Sequence, residues 1–149
     1  MENRMRLEFT NESCNERFAR MTATAFAALL DPTVEELAEI KTAISEAVTN
    51  AIIHGYAKRT GIVVMEGEIH EHTIIYTIRD YGCGIENVAK AREPLYTGKP
   101  ELERSGMGFS FMEAFMDEVQ VESEPGKGTI VRMKKIIGRG RELWTTQSL

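Results

Sequence analysis

Residues 33–56 read TVEELAEIKTAISEAVTNAIIHGY, and the spacing within them dictates a helix that fixes how the rest of the chain is read. Thr33, with Glu36 three residues on, forms a capping box ahead of Leu37, Ile40, Ile44, Val48 and Ile52, and Gly55 supplies a C-terminal stop. Glu46, Asn50 and His54 recur at four-residue intervals and share a face, while Ile44, Val48, Ala51 and Ile52 lie largely on another. A polar stripe on an otherwise apolar helix calls for water, a ligand or a buried partner. A carboxylate can act as a general base toward a hydroxyl, and an Asn oxygen is a hard neutral ligand suited to Mg²⁺. Taken alone, the stripe also fits a helix face that is merely solvated. His54 either caps the helix end or faces a ligand.

Upstream, Met5, Leu7 and Phe9 alternate with charged residues, the period of a strand with one buried face. Phe18, Met21, Ala25, Phe26 and Leu29 then recur at helical spacing, predicting a first helix that buries them and ends near Asp31-Pro32. Downstream, Ile62 to Met65 and Thr73 to Arg79 predict an antiparallel hairpin that turns through His70-Glu71-His72. Residues 80–108 are rich in turn formers, with one short helical stretch around Val88 to Arg92, as in a lid or binding loop. Phe109, Met112, Phe115 and Met116 return to helical spacing. A last hairpin carries Val119 and Val121 on one strand and Ile130, Val131 and Met133 on the other. The expected architecture is α+β in one domain, residues 1–137, with a mixed, mainly antiparallel sheet and helices packed on one face. Residues 138–149 lack periodicity and are expected to form a disordered tail.

Two glycine-rich turns carry further chemistry. In RDYGCGI, Asp80 ends a strand and Gly82 and Gly84 follow at alternate positions; a buried carboxylate there would accept a hydrogen bond from an amino group such as that of adenine. Asp-x-Gly-x-Gly is also a common turn. Ser105-Gly106-Met107-Gly108 opens a helix, either as an ordinary glycine-rich start or as a set of backbone N–H groups that attract phosphate. No G-x-x-x-x-G-K-[ST] loop occurs, neither glycine pair completes G-x-G-x-x-G, and the signatures of an ordinary protein kinase are missing, so any ATP chemistry needs another fold.

Composition narrows the classes. The 149 residues, 42% hydrophobic and 28% charged, suffice for one domain with a real core. A formal net charge of -5 argues against the positive field that sequence-independent nucleic-acid binding requires. No apolar run approaches the roughly 20 residues of a membrane span, and the N-terminus lacks the blocks of a signal peptide, so a cytoplasmic setting is expected. Cys14 and Cys83 stand far apart without metal-ligand spacing and read as reduced thiols.

The ordered series Glu46-x-x-x-Asn50, Asp80-x-Gly82-x-Gly84, Gly106-x-Gly108 and Gly128-Thr129 resembles the ATPase and kinase superfamily of gyrase B, Hsp90, histidine kinases and MutL. Through SEAVTNAIIHGY (45–56) and KPELERSGMG (99–108), the chain is most similar to the anti-sigma serine kinases, in particular the anti-sigma F family of spore-forming bacilli, over roughly residues 1–136. The resemblance implies a Bergerat-type ATP-binding sandwich. It implies Glu46 as catalytic base, Asn50 as a Mg²⁺ ligand, and Asp80 reading the adenine amino group with Thr129 nearby. Gly82, Gly84, Thr97, Lys99, Arg104, Ser105, Gly106, Met107 and Gly108 would complete the ATP site, with residues 94–105 as its lid. It further implies a homodimer that sequesters a sigma factor of RNA polymerase and phosphorylates a serine of an anti-anti-sigma protein. Glu16 and Arg20 match partner-facing positions, although they also read as solvated helix charges. Gly98 departs from the pattern where a second Thr is expected before Lys99, and the tail beyond Ile137 is outside it.

Two other readings stand beside this one. A histidine-kinase catalytic domain would need a phosphoacceptor His on a long dimerisation helix, and His54, His70 and His72 are not set on one. A non-catalytic binding module, gated by ATP, would have little reason to keep Glu46.

Overall fold

A computed structural model describes residues 1–93 and 108–138 of the chain. Its strands are β1 (Glu2–Thr10), β2 (Ile62–His70), β3 (Thr73–Asp80), β4 (Glu118–Glu124) and β5 (Gly128–Ile136). They form one five-stranded sheet in the order β1-β2-β3-β5-β4, with all its pairings antiparallel. The two-residue period of a strand sets which side chains share a face. Met65, Ile78 and Val131 lie in one lateral row, with Gly67, Tyr76 and Met133 in the next, and except for Gly67 all of these residues belong to the core.

Helices α1 (Asn15–Ala28), α2 (Val34–Thr49) and α4 (Gly108–Phe115) cover that face, and α3 (Val88–Ala91) is a single short turn. Helix α2 lies between α1 and α4. It begins as its sequence predicts: the Thr33 hydroxyl accepts the Glu36 N–H at 3.0 Å while the Glu36 carboxylate accepts the Thr33 N–H at 2.9 Å. Ile40, Ile44 and Val48 are fully buried. Gly138, assigned by sequence to the tail, donates its N–H to the other Glu36 oxygen at 2.7 Å.

Helix α1 departs from its predicted face. Of the five residues expected inside, Phe26 is buried, whereas Phe18, Met21 and Leu29 are 52%, 64% and 51% exposed and Ala25 is exposed. The buried stripe is Ala19, Ala23, Phe26 and Ala27. The reason is distance: the Tyr76 hydroxyl, rising from β3, donates to the Ala23 carbonyl at 2.6 Å, and that closeness leaves room only for small side chains. Phe26 fits because Gly67 lies beneath it, where a Cβ would come within 2.8 Å of the ring.

The expected lid, residues 94–105, lies outside the described residues, together with Thr97, Lys99, Arg104, Ser105, Gly106 and Met107. So do tail residues 139–149. No described helix is long and apolar enough to cross a membrane.

Candidate functional site

The helical path that α2 begins ends at Gly55, as its sequence predicts, but its last stretch is not an ordinary α-helix. It widens into a π-helical turn over Asn50–Gly55, a device in which i→i+5 bonding accommodates an extra residue and which recurs at functional sites. The four-residue spacing read from sequence therefore holds from Glu46 to Asn50 and no longer sets the position of His54. Glu46 and Asn50 are both half-buried, one turn apart, as the stripe predicts. The turn sends its last carbonyls toward the Asp80 loop. The Gly55 carbonyl accepts the Cys83 N–H at 2.6 Å, and the His54 carbonyl accepts the Cys83 thiol at 3.1 Å. Both Cys14 and Cys83 are exposed free thiols.

Asp80 ends β3 with only 5% of its surface exposed. One carboxylate oxygen accepts the Gly82 N–H at 3.0 Å, and the Thr129 backbone N–H also bonds this carboxylate. Burial pushes its pKa up to about 6, against the downward pull of those two donors. Gly55 closes one side of the carboxylate, since a Cβ at that position would meet Asp80 Cγ at 2.6 Å. The buried Tyr56 braces the same corner, accepting the Tyr81 N–H at 2.7 Å and donating to the Ile62 carbonyl at 2.6 Å.

The glycines of the loop answer first to the chain itself. A Cβ on Gly82 would fall 1.6 Å from the Gly55 carbonyl oxygen. Gly84 has a φ of 75° and would put a Cβ 2.3 Å from the Glu124 carbonyl oxygen. Sequence reading gave these glycines a close approach to a flat ligand; the closest approaches found are to neighbouring backbone, and they fix where the loop stands.

Thr129 is buried and pairs directly with Asp80 across β3 and β5, so the two side chains lie on the same face of the sheet. Gly108 begins α4, whose Phe109 and Met112, with Met116 just past its end, enter the core beside α2. On α1 the Glu16 carboxylate accepts the Ser45 hydroxyl at 2.5 Å and lies 3.6 Å from Arg20. The described residues thus bring Glu46, Asn50, Gly55, Asp80, Gly82 and Thr129 to one end of α2 and β3. Tyr56 and Ser45 bound the SEAVTNAIIHGY stretch that carries the family likeness, but the sequence reading gave neither a role of its own. A Tyr directly after the helix-stopping glycine was the available signal for the first; nothing in the local sequence pointed to the second.

An adenine amino group suits this corner, because a buried carboxylate with two N–H donors in place still has lone pairs to offer. An amide oxygen at Asn50, one turn from a carboxylate, suits a divalent cation shared with phosphate oxygens.

Residues 9–135 match the family model for histidine kinase-like ATPase domains. An anti-sigma F factor of Clostridium perfringens strain SM101 is 61% identical over 136 residues, covering 91% of this chain and 97% of that protein. Anti-sigma F factors of Geobacillus thermodenitrificans and Caldanaerobacter subterraneus subsp. tengcongensis are 58% identical over 144 residues and 56% over 139. The first pairing covers 96% of this chain and 99% of its relative, the second 93% and 97%.

Proposed function

This chain belongs to the anti-sigma F factor family within the histidine kinase-like ATPase domains, and from that premise we propose that it binds a sigma factor and, with Mg-ATP, phosphorylates a serine of an anti-anti-sigma protein. The observation that carries the reading is the continuity of α2: the helix that bears Glu46 and Asn50 ends in the turn whose Gly55 backs the Asp80 carboxylate. The continuity of α2 thus links the residues this reading takes as base, metal ligand and adenine reader.

In this reading Asp80 and Thr129 hold the adenine, with the loop of Gly82 and Gly84 beside them. Asn50 would hold Mg²⁺, and the start of α4 at Gly108 would offer N–H groups to phosphate, with Thr97, Lys99, Arg104, Ser105, Gly106 and Met107 assigned to the same site by the family likeness. When bound, Mg-ATP supplies the phosphoryl group and much of the charge neutralisation, so the protein contributes chiefly positioning and electrostatics. Glu46 takes the proton from the acceptor hydroxyl as that oxygen bonds phosphorus and the bond to the leaving diphosphate breaks.

Arg20, with Glu16 behind it, belongs to the partner-facing surface. The exposed Phe18, Met21 and Leu29 on the same helix support a protein-binding role for α1, and a homodimer in the cytoplasm fits the family. Residues 1–137 act as the single functional domain, with the remainder as a tail. The test is Glu46→Ala, which is expected to abolish phosphate transfer to the partner while ATP still binds. Unchanged transfer would remove Glu46 from the mechanism.

A further inference from the structure

A polar row crosses the end of the sheet. Ser123 on β4 pairs with Thr129 on β5, which pairs with Asp80 on β3, so the three side chains line up on the helix-facing side. The Ser123 hydroxyl has three neighbours: the Ile85 N–H at 2.7 Å, the Gly128 carbonyl at 3.1 Å and the Thr129 hydroxyl at 2.7 Å.

A serine hydroxyl carries one proton and two lone pairs. The Ile85 N–H can only donate and the Gly128 carbonyl can only accept. One assignment alone makes all three contacts hydrogen bonds: Ser123 donates to Gly128 and accepts from both Ile85 and Thr129. The Thr129 proton is then committed to Ser123, and toward the space beside Asp80 the Thr129 oxygen can only accept. Asp80 and Thr129 together present two acceptors.

Resting on the adenine-reading site proposed above, we propose that Ser123 is a specificity-determining positioning residue. By holding the Thr129 proton, it turns the Asp80–Thr129 pair into a reader of an exocyclic amine, which has two N–H groups to give. A 6-oxo purine, which offers an acceptor at that position, is rejected. Ser123 acts through Thr129 and does not itself touch the base.

The full chain would be titrated calorimetrically with ATP and with inosine triphosphate, both with magnesium, at pH 8, where Asp80 is ionised. The wild type is expected to prefer ATP. Ser123→Ala frees the Thr129 proton to donate to a carbonyl, and the preference is expected to narrow about tenfold, mainly through a gain for inosine triphosphate, the size of one hydrogen bond. Ser123→Thr is expected to retain the preference. If Ser123→Ala does not fold, Ser123→Cys, with its weak donor and acceptor, is expected to narrow the ratio by a smaller factor. A ratio unchanged in the folded Ala or Cys variant, or equal losses for both nucleotides, would overturn the role of Ser123 while leaving the ATP site standing. A wild type that takes up neither nucleotide would instead remove the ATP site itself, and this inference with it.

Discussion

Helices α1 and α2 run side by side on the same sheet, yet they spend their apolar residues in opposite ways. Helix α2 buries Ile40, Ile44 and Val48 and ends against Asp80. Helix α1 buries three alanines and Phe26 and leaves Phe18 and Met21, with Leu29 at its end, outside. A helix that must approach a sheet closely uses small residues inward, as the Tyr76–Ala23 bond requires, and its larger ones are then available to something else. The contrast separates a helix devoted to core and site from one that faces outward.

The largest consequence lies on α2. Ile44→Ala should cost about 2 to 5 kcal/mol in a denaturant titration, because Ile44 is fully buried and its truncation leaves a cavity in the core. Next comes the carboxylate that the end of α2 encloses. With a pKa raised from 3.8 to about 6, Asp80 holds its proton in the folded chain at pH values where the unfolded chain has released it. Its contribution is therefore fully present below about pH 4 and is lost as pH rises to 6, an effect of order 3 kcal/mol. In Asp80→Asn, the slope of stability against pH over that window should flatten by this amount, and an unaltered slope would place the titration elsewhere.

On α1 the expected effects are smaller and of a different kind. Ala23→Met should lose about 1 to 3 kcal/mol by forcing the helix off Tyr76, which thermal melts would register. Phe18→Ser should change stability by no more than about 0.5 kcal/mol, yet weaken self-association or sigma binding as measured by sedimentation. If instead Phe18→Ser destabilised the monomer as much as Ile44→Ala, the outward role of α1 would be wrong.

The same contrast explains what could be read from the chain beforehand. The capping box, the β-branched stripe of α2 and the apolar runs of the Ile62–Met65 and Thr73–Arg79 hairpin are local signals, and the structure follows them. The glycine motifs located the Asp80 corner, and family likeness supplied its roles. The buried face of α1 was not legible because periodicity ranks a face by hydrophobicity. Here the deciding quantity was the gap above Tyr76, set by a strand some fifty positions away in the chain. Ser123 was equally hidden: its importance comes from register between β4 and β5, which no local window contains.

The π-helical turn over Asn50–Gly55 has one more implication. It is a surplus in the winding, a place where the helix holds a residue it could shed. Deleting Ile53 would let the coil rewind evenly and would make the segment more regular by every local standard. It would also retract the carbonyl that tethers Cys83 and pull Gly55 off Asp80. A better-formed helix would leave a worse-formed corner around Asp80, so the irregularity is part of what the chain is built to keep.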